Sequence, residues 1–172
     1  MSVTLHTNYG SLKIELFIDW TPNTCHNFLA LCASTYYTNK SFYRNIKSFL
    51  LQGVLPVGVK TTKNELSIYY NSQTKSYQFN DEITPLLQHN KRGILAMANK
   101  SNQLNTITSQ FYILYAEQSQ LNNTNTVFGQ LIGADSYNTL DIIEKLPVDS
   151  KDRPIEPIIV ESVTIHSNPF AE

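Results

Sequence analysis

Val3-Thr4-Leu5-His6-Thr7-Asn8-Tyr9-Gly10-Ser11-Leu12-Lys13-Ile14-Glu15-Leu16-Phe17-Ile18 sets two alternating runs on either side of a short polar break. Leu12, Ile14, Leu16 and Ile18 recur at every second residue, which places them on one face of an extended chain. Asn8-Tyr9-Gly10 supplies turn residues between the runs, so the stretch predicts a hairpin with one buried face. The pattern then changes period. Thr21 can cap a helix with Pro22 at its first position, and Cys25, Phe28, Leu29 and Cys32 follow at i, i+3, i+4 and i+7. This predicts one amphipathic helix ending near Ser34.

Beyond it the chain returns to short runs rich in aromatic and branched residues, at 41–45, 49–52, 94–98, 111–115 and 126–132, each read as a strand. Ser136 as cap, with Tyr137, Leu140, Ile143 and Leu146 on one side and Pro147 beyond, predicts a second helix. Residues 158–166 read as a final strand. So many strands with only two helices would leave unpaired edges that invite aggregation, unless the sheet closes on itself. The expected architecture is a mainly β, closed eight-stranded antiparallel barrel capped by two α-helices, one domain over residues 1–172. Bulky Leu, Ile and Phe at the inward positions predict a filled interior rather than the hollow barrel of a small-molecule carrier. The polar segments 57–78 and 100–108 carry few periodic apolar residues and are placed as surface loops, where function tends to sit.

Composition narrows the partners. With 41% hydrophobic residues and a net charge of −1, the 172-residue chain has the make-up of a folded globular domain. Its Lys and Arg are scattered, so direct nucleic-acid binding is not expected. The opening residues lack a basic and apolar leader, and no apolar run approaches membrane-spanning length, so secretion and membrane insertion are not expected. On that footing Asn39, Asn99 and Asn122, each in an Asn-x-Ser/Thr triplet, are chance matches. Cys25 and Cys32, two helical turns and roughly 10 Å apart, exceed the ~7 Å Cα limit of a disulfide. They read as free apolar core residues of a reducing compartment. His6, His26, His89 and His166 form no close-spaced ligand pair, so neither a metal nor a cofactor is expected. Nothing suggests an oligomer, and a monomer is expected.

Residues 41–53, Ser-Phe-Tyr-Arg-Asn-Ile-Lys-Ser-Phe-Leu-Leu-Gln-Gly, resemble the Phe-His-Arg and Gln-Gly segment of the cyclophilin family, specifically at Phe42, Arg44, Phe49, Gln52 and Gly53. Gly93-Ile94-Leu95-Ala96-Met97-Ala98-Asn99, Thr108-Ser109-Gln110-Phe111-Tyr112-Ile113, Thr126-Val127-Phe128-Gly129 and residues 21–28 are similar to further family segments, in the family's order over nearly the whole chain. The opening residues, the run 27–34 and the ending Asn168-Pro169-Phe170-Ala171 look most like the small spliceosome-associated cyclophilin-like 3 subfamily. The resemblance implies peptidyl-prolyl cis-trans isomerase (rotamase) activity on X-Pro bonds, aiding the folding or remodelling of splicing-associated proteins in the nucleus, the cytoplasm or both. Its partners would be proline-containing segments of spliceosomal proteins.

Isomerisation makes and breaks no bond. Its barrier is about 18–20 kcal/mol because twisting the amide removes its resonance. The proline nitrogen regains a lone pair in the twisted state, and a fixed donor aimed there stabilises that state selectively. The resemblance puts Arg44 in that role, with Phe49 and Gln52 as its catalytic companions. Leu50, Tyr112, Leu121 and Phe49 match the apolar pocket that grips the proline ring. Gln52 matches a residue that bonds substrate backbone, Asn99 one whose main chain holds the extended peptide, and Ala98 and Gln110 complete the groove wall.

Several positions depart from the family's pattern. Tyr43 replaces a His, Leu50 a Met, and Tyr112 a Phe, whose added hydroxyl needs a partner. Gln120 and Asn125, also expected at the groove, replace aromatic or histidine residues. The thinned rim puts the affinity for cyclosporin, which the family binds there, in doubt. Residues 54–65 and 100–108 lack the family's glycine-rich stretches, so these loops are expected to leave the usual path. Two readings follow: an isomerase with retuned selectivity, or a catalytically weak proline-peptide binding module of a splicing assembly.

Overall fold

The computed structural model describes residues 1–59 and 65–167. Strands β1 (Ser2–Thr7) and β2 (Gly10–Leu16) form the opening hairpin, with Leu5 opposite Leu12 and Val3 opposite Ile14. Helix α1 (Pro22–Ala33) follows, then β3 (Lys40–Ile46), β4 (Leu50–Pro56), β5 (Ile94–Met97), β6 (Phe111–Leu114), β7 (Val127–Leu131), α2 (Ala134–Glu144) and β8 (Ile158–Ile165). Every strand pairs antiparallel with two neighbours, and the ring closes in the order β1-β2-β7-β5-β6-β4-β3-β8. Closure removes the free edges that the strand count would otherwise leave.

The two-residue period of the strands builds two apolar layers. Leu51, Leu95, Met97, Phe111 and Ile113 point into the barrel and join Val3, Leu5, Leu12, Ile14, Phe42 and Phe128 in one buried core. Phe28 of α1 and Leu140 and Ile143 of α2 belong to the same core, which fills the interior. The alternate residues Leu50, Ile94, Ala96, Tyr112, Leu114 and Val127 form a second, smaller cluster on the other face of the wall. Gly53 is needed at the β3–β4 bulge, because a Cβ there would lie 2.6 Å from the Phe42 Cα. The glycine of the Gln-Gly pair thus lets β3 approach β4 closely enough to align Arg44 with Gln52.

The first helix starts at Pro22 as expected, but the capping of both helices differs from expectation. Thr21 occupies the N-cap position of α1, but its hydroxyl donates to the Phe17 carbonyl at 3.0 Å. The free N–H groups of Asn23 and Thr24 go to the Glu82 carboxylate instead, at 3.2 and 2.6 Å. A carboxylate satisfies two donors and complements the positive helix end, where a hydroxyl satisfies one. In α2 the cap is Gly133, at φ 87°, and Ser136 lies inside the first turn. Its hydroxyl accepts from the Lys13 N–H at 2.8 Å, tying the helix to β2. Ile18 lies past the end of β2, in the turn leading to α1. Cys25 and Cys32 are buried free thiols, both pushed up in pKa, chiefly by burial.

The 100–108 loop turns without glycine. Ser101, Asn102 and Asn105 adopt φ of 52°, 57° and 60°, a region that Asn tolerates better than most side chains. In the 57–78 segment Gly58 and Lys75 take positive φ, and residues 60–64 lie outside the described residues, as do the quoted 168–171.

Candidate active site

Strand register places five side chains in a row across the barrel wall. Arg44 of β3 stands opposite Gln52 of β4, Gln52 opposite Tyr112 of β6, Tyr112 opposite Ala96 of β5, and Ala96 opposite Val127 of β7. The row runs from a cation through an amide, a phenol and a methyl to the isopropyl group of Val127. Arg44 is exposed, and its Nη1 donates to the Gln52 Oε1 at 3.2 Å. Among the described residues it is in no ion pair, so its remaining guanidinium donors are available.

Beside the row, Leu50, Tyr112, Ile94, Leu114 and Val127 make an apolar floor, with Phe49, Ala98, Leu121, Phe17 and Leu87 packed against it. Phe49 is held in the turn before β4 by two main-chain bonds, to the Ile46 carbonyl and from the Tyr115 N–H, both at 3.0 Å. Leu121 ends a one-turn 3-10 helix, Ser119–Leu121, at the rim. Gln120 on that turn is exposed and donates to Gln118 at 2.7 Å. The Asn99 amide donates to the Thr124 carbonyl at 2.9 Å, and the Asn125 amide to the Met97 carbonyl at 3.0 Å. These two side chains stitch the rim to the end of β5. Gln110 is buried just before β6, its carbonyl accepting from the Ala98 N–H at 2.9 Å.

The Tyr112 hydroxyl has a partner that the sequence does not point to. His89 is wholly buried, with its Nε2 2.7 Å from that hydroxyl and its ring stacked on the Tyr112 ring. The Asn122 Oδ1 accepts from both the main-chain N–H and the Nδ1 of His89, at 2.7 and 3.1 Å. A carbonyl oxygen only accepts, so Nδ1 carries the proton. Burial lowers the pKa of His89, which leaves Nε2 bare to accept from Tyr112. The chain Tyr112–His89–Asn122 therefore fastens the apolar floor to the turn that carries Leu121. His89 and Asn122 are missed by sequence reading because neither is near Tyr112 along the chain.

The depressed pKa makes a stability statement. An unfolded His89 takes up its proton near the ordinary value of 6.5, and the folded one only at lower pH. Stability from this group is complete above 6.5 and is lost as pH falls from there through the folded value. Thermal melts are expected to show Tm falling below pH 6.5, with a shallower fall in His89→Gln. Equal slopes in the two proteins would refute this assignment.

A filled barrel with an apolar cluster on the outer face of its wall, and a guanidinium in no ion pair among the described residues at one end of the row, defines a closed barrel whose candidate site lies on its outside. The chain belongs to the cyclophilin type peptidyl-prolyl cis-trans isomerase family, whose profile (Cyclophilin type peptidyl-prolyl cis-trans isomerase/CLD) matches residues 2–165. It is 48% identical to the peptidyl-prolyl cis-trans isomerase-like 3 of Dictyostelium discoideum over 171 residues, 99% of each chain. It is also 48% identical to the protein of that name from Homo sapiens over 173 residues, the whole of both chains. A Cryptosporidium parvum cyclophilin type isomerase, crystallised in the presence of the dipeptide Ala-Pro, superposes with a TM-score of 0.87 at 45% identity, over 98% of this chain and 100% of that one.

Proposed function

We propose that this chain is a peptidyl-prolyl cis-trans isomerase acting on X-Pro bonds of protein segments. The observation that carries the reading is the register row in which Arg44, held by Gln52, borders the apolar floor of Leu50 and Tyr112. The floor, with Phe49 and Leu121, grips a proline ring without directional bonds, which leaves the amide free to rotate. As it twists, the nitrogen lone pair emerges and meets a guanidinium already oriented, so no reorganisation is needed at the barrier. One Arg44 donor is spent on Gln52, and that bond fixes the plane of the rest.

The clients are taken to be proline-containing segments of splicing-associated proteins, in the nucleus, the cytoplasm or both, with the chain acting there as a folding chaperone. Support for this comes from the sequence likeness to the spliceosome-associated subfamily and from the like-3 relatives that match end to end.

A protease-coupled or NMR-exchange assay on a short Xaa-Pro peptide tests the activity. The expected result is interconversion faster than in buffer, in proportion to the protein added. Interconversion no faster than buffer removes the enzyme reading and leaves a proline-peptide binding module. Co-sedimentation of the full chain with splicing complexes assembled on a precursor RNA tests the client class, and its absence from those complexes overturns that part.

A further inference from the structure

A cavity of about 610 Å³ opens beside the row, walled by Gln52, Ala98, Asn99, Thr108, Gln110 and Tyr43. Gln110 is 3% exposed in this wall. Its Oε1 accepts from the Tyr43 hydroxyl at 2.8 Å, and its Nε2 is buried with no hydrogen-bond partner among the described residues. Buried amide donors are nearly always paired, and one left without a partner on a side chain that lines a cavity beside a binding groove calls for an acceptor from outside the chain. The nitrogen is the end of that amide without a partner because the oxygen end is occupied by the Tyr43 hydroxyl. Burial pushes its pKa up to about 12, so it keeps its proton and remains a donor. In the arrangement observed its proton goes to the Gln110 Oε1, which leaves the NH2 as the unpaired end of the amide.

We propose that Tyr43 is a positioning residue that commits the Gln110 amide nitrogen to a backbone carbonyl of the peptide flanking the proline. The acceptor is a main-chain carbonyl because every extended peptide offers one whatever its sequence, whereas a side-chain acceptor would be present in few. Tyr43 does not touch the rotating bond. It acts through Gln110, and the bond it prepares is present before and during rotation, so its weight falls on KM and not on kcat. The inference rests on the reading of this face as an X-Pro peptide site.

The test is a double-mutant cycle with an Xaa-Pro peptide. Tyr43→Phe frees the Gln110 amide to rotate and is expected to raise KM on the order of tenfold with kcat little changed. Gln110→Met is expected to raise KM similarly, and Tyr43→Phe in the Gln110→Met background to add nothing. Tyr43→His, whose ring N–H can also donate to the Gln110 oxygen, is expected to restore KM. An unchanged KM in Tyr43→Phe, or the same increment with Gln110 already removed, overturns the proposal. A measurement on the unaltered protein is independent of variant folding: on titration with the peptide, the Gln110 side-chain amide resonances in a ¹⁵N spectrum should shift. Saturation seen at Arg44 and Gln52 with the Gln110 amide unmoved sinks this inference and leaves the isomerase reading intact. A peptide that perturbs none of these residues sinks both.

Discussion

Arg44→Ala is expected to lower kcat/KM for an Xaa-Pro peptide by about 10²–10³-fold, the loss seen when a single preorganised donor is taken from a transition state. The fall should sit in kcat. On the proposed mechanism the guanidinium meets the proline nitrogen only once the amide has twisted, so ground-state binding, assigned there to Phe49, Leu50, Tyr112 and Leu121, should change little. Arg44→Lys should recover only part of the rate: an ammonium keeps the charge but lacks the planar fork that bonds Gln52 with one N–H while presenting others to the substrate. Because Arg44 is exposed and in no ion pair among the described residues, its removal should leave urea stability within about 0.5 kcal/mol of wild type. Such a result would separate chemistry from folding. An alanine variant as fast as the parent would leave the barrel and the pocket in place but strip Arg44 of its role.

The largest effect on stability is expected at Phe111. Its ring is wholly buried and meets Phe28, Tyr37, Phe42 and Phe128 at centroid distances of 5.4, 5.6, 6.0 and 6.4 Å, each edge to face. One side chain thereby joins α1, β3, β6 and β7. Phe111→Ala removes the transfer energy of the ring and leaves a cavity that four stiff aromatics close poorly, a cost of about 3–5 kcal/mol. The lost edge-to-face contacts are part of it. Urea unfolding followed by near-ultraviolet circular dichroism measures it, and a loss below about 1 kcal/mol would mean that the core collapses around the gap. Phe111→Leu should cost less, since it keeps much of the volume. Gln110, just before β6, and Tyr112 within it flank Phe111, so isomerase activity in Phe111→Ala should also fail at a lower temperature than in wild type.

The strands and helices were readable because each has one buried face and therefore a period. Leu12, Ile14 and Leu16 on β2, and Cys25, Phe28, Leu29 and Cys32 on α1, sit where two-fold and 3.6-fold spacing put them. Element starts were less legible. A cap needs one acceptor, and the chain can bring it from far away: Glu82 serves α1 in place of Thr21, and Gly133 opens α2 ahead of Ser136. Glycine is absent from 100–108, and Ser101, Asn102 and Asn105 reach positive φ in its place, a substitution that composition does not reveal. The residues assigned to the groove were legible only through likeness to the cyclophilins. Spacing alone does not distinguish Tyr112, on the outer wall, from its neighbour Phe111, inside the barrel.

By itself the sequence determined the strands and the two helices, because alternation and helical periodicity are local properties, and it pointed to closure because so many strands would otherwise leave bare edges. Through its likeness to the cyclophilins it also pointed to a cation, an amide and a set of apolar side chains as the ones a peptide would meet. Only the tertiary structure decided how they combine. Cross-strand register put Arg44, Gln52 and Tyr112 side by side, and chain closure brought His89 under the Tyr112 hydroxyl and Tyr43 against the Gln110 oxygen. Those contacts span from 8 to 67 residues of chain. Their geometry depends on where each strand stops and which donor is already occupied, and no local pattern of residues encodes either.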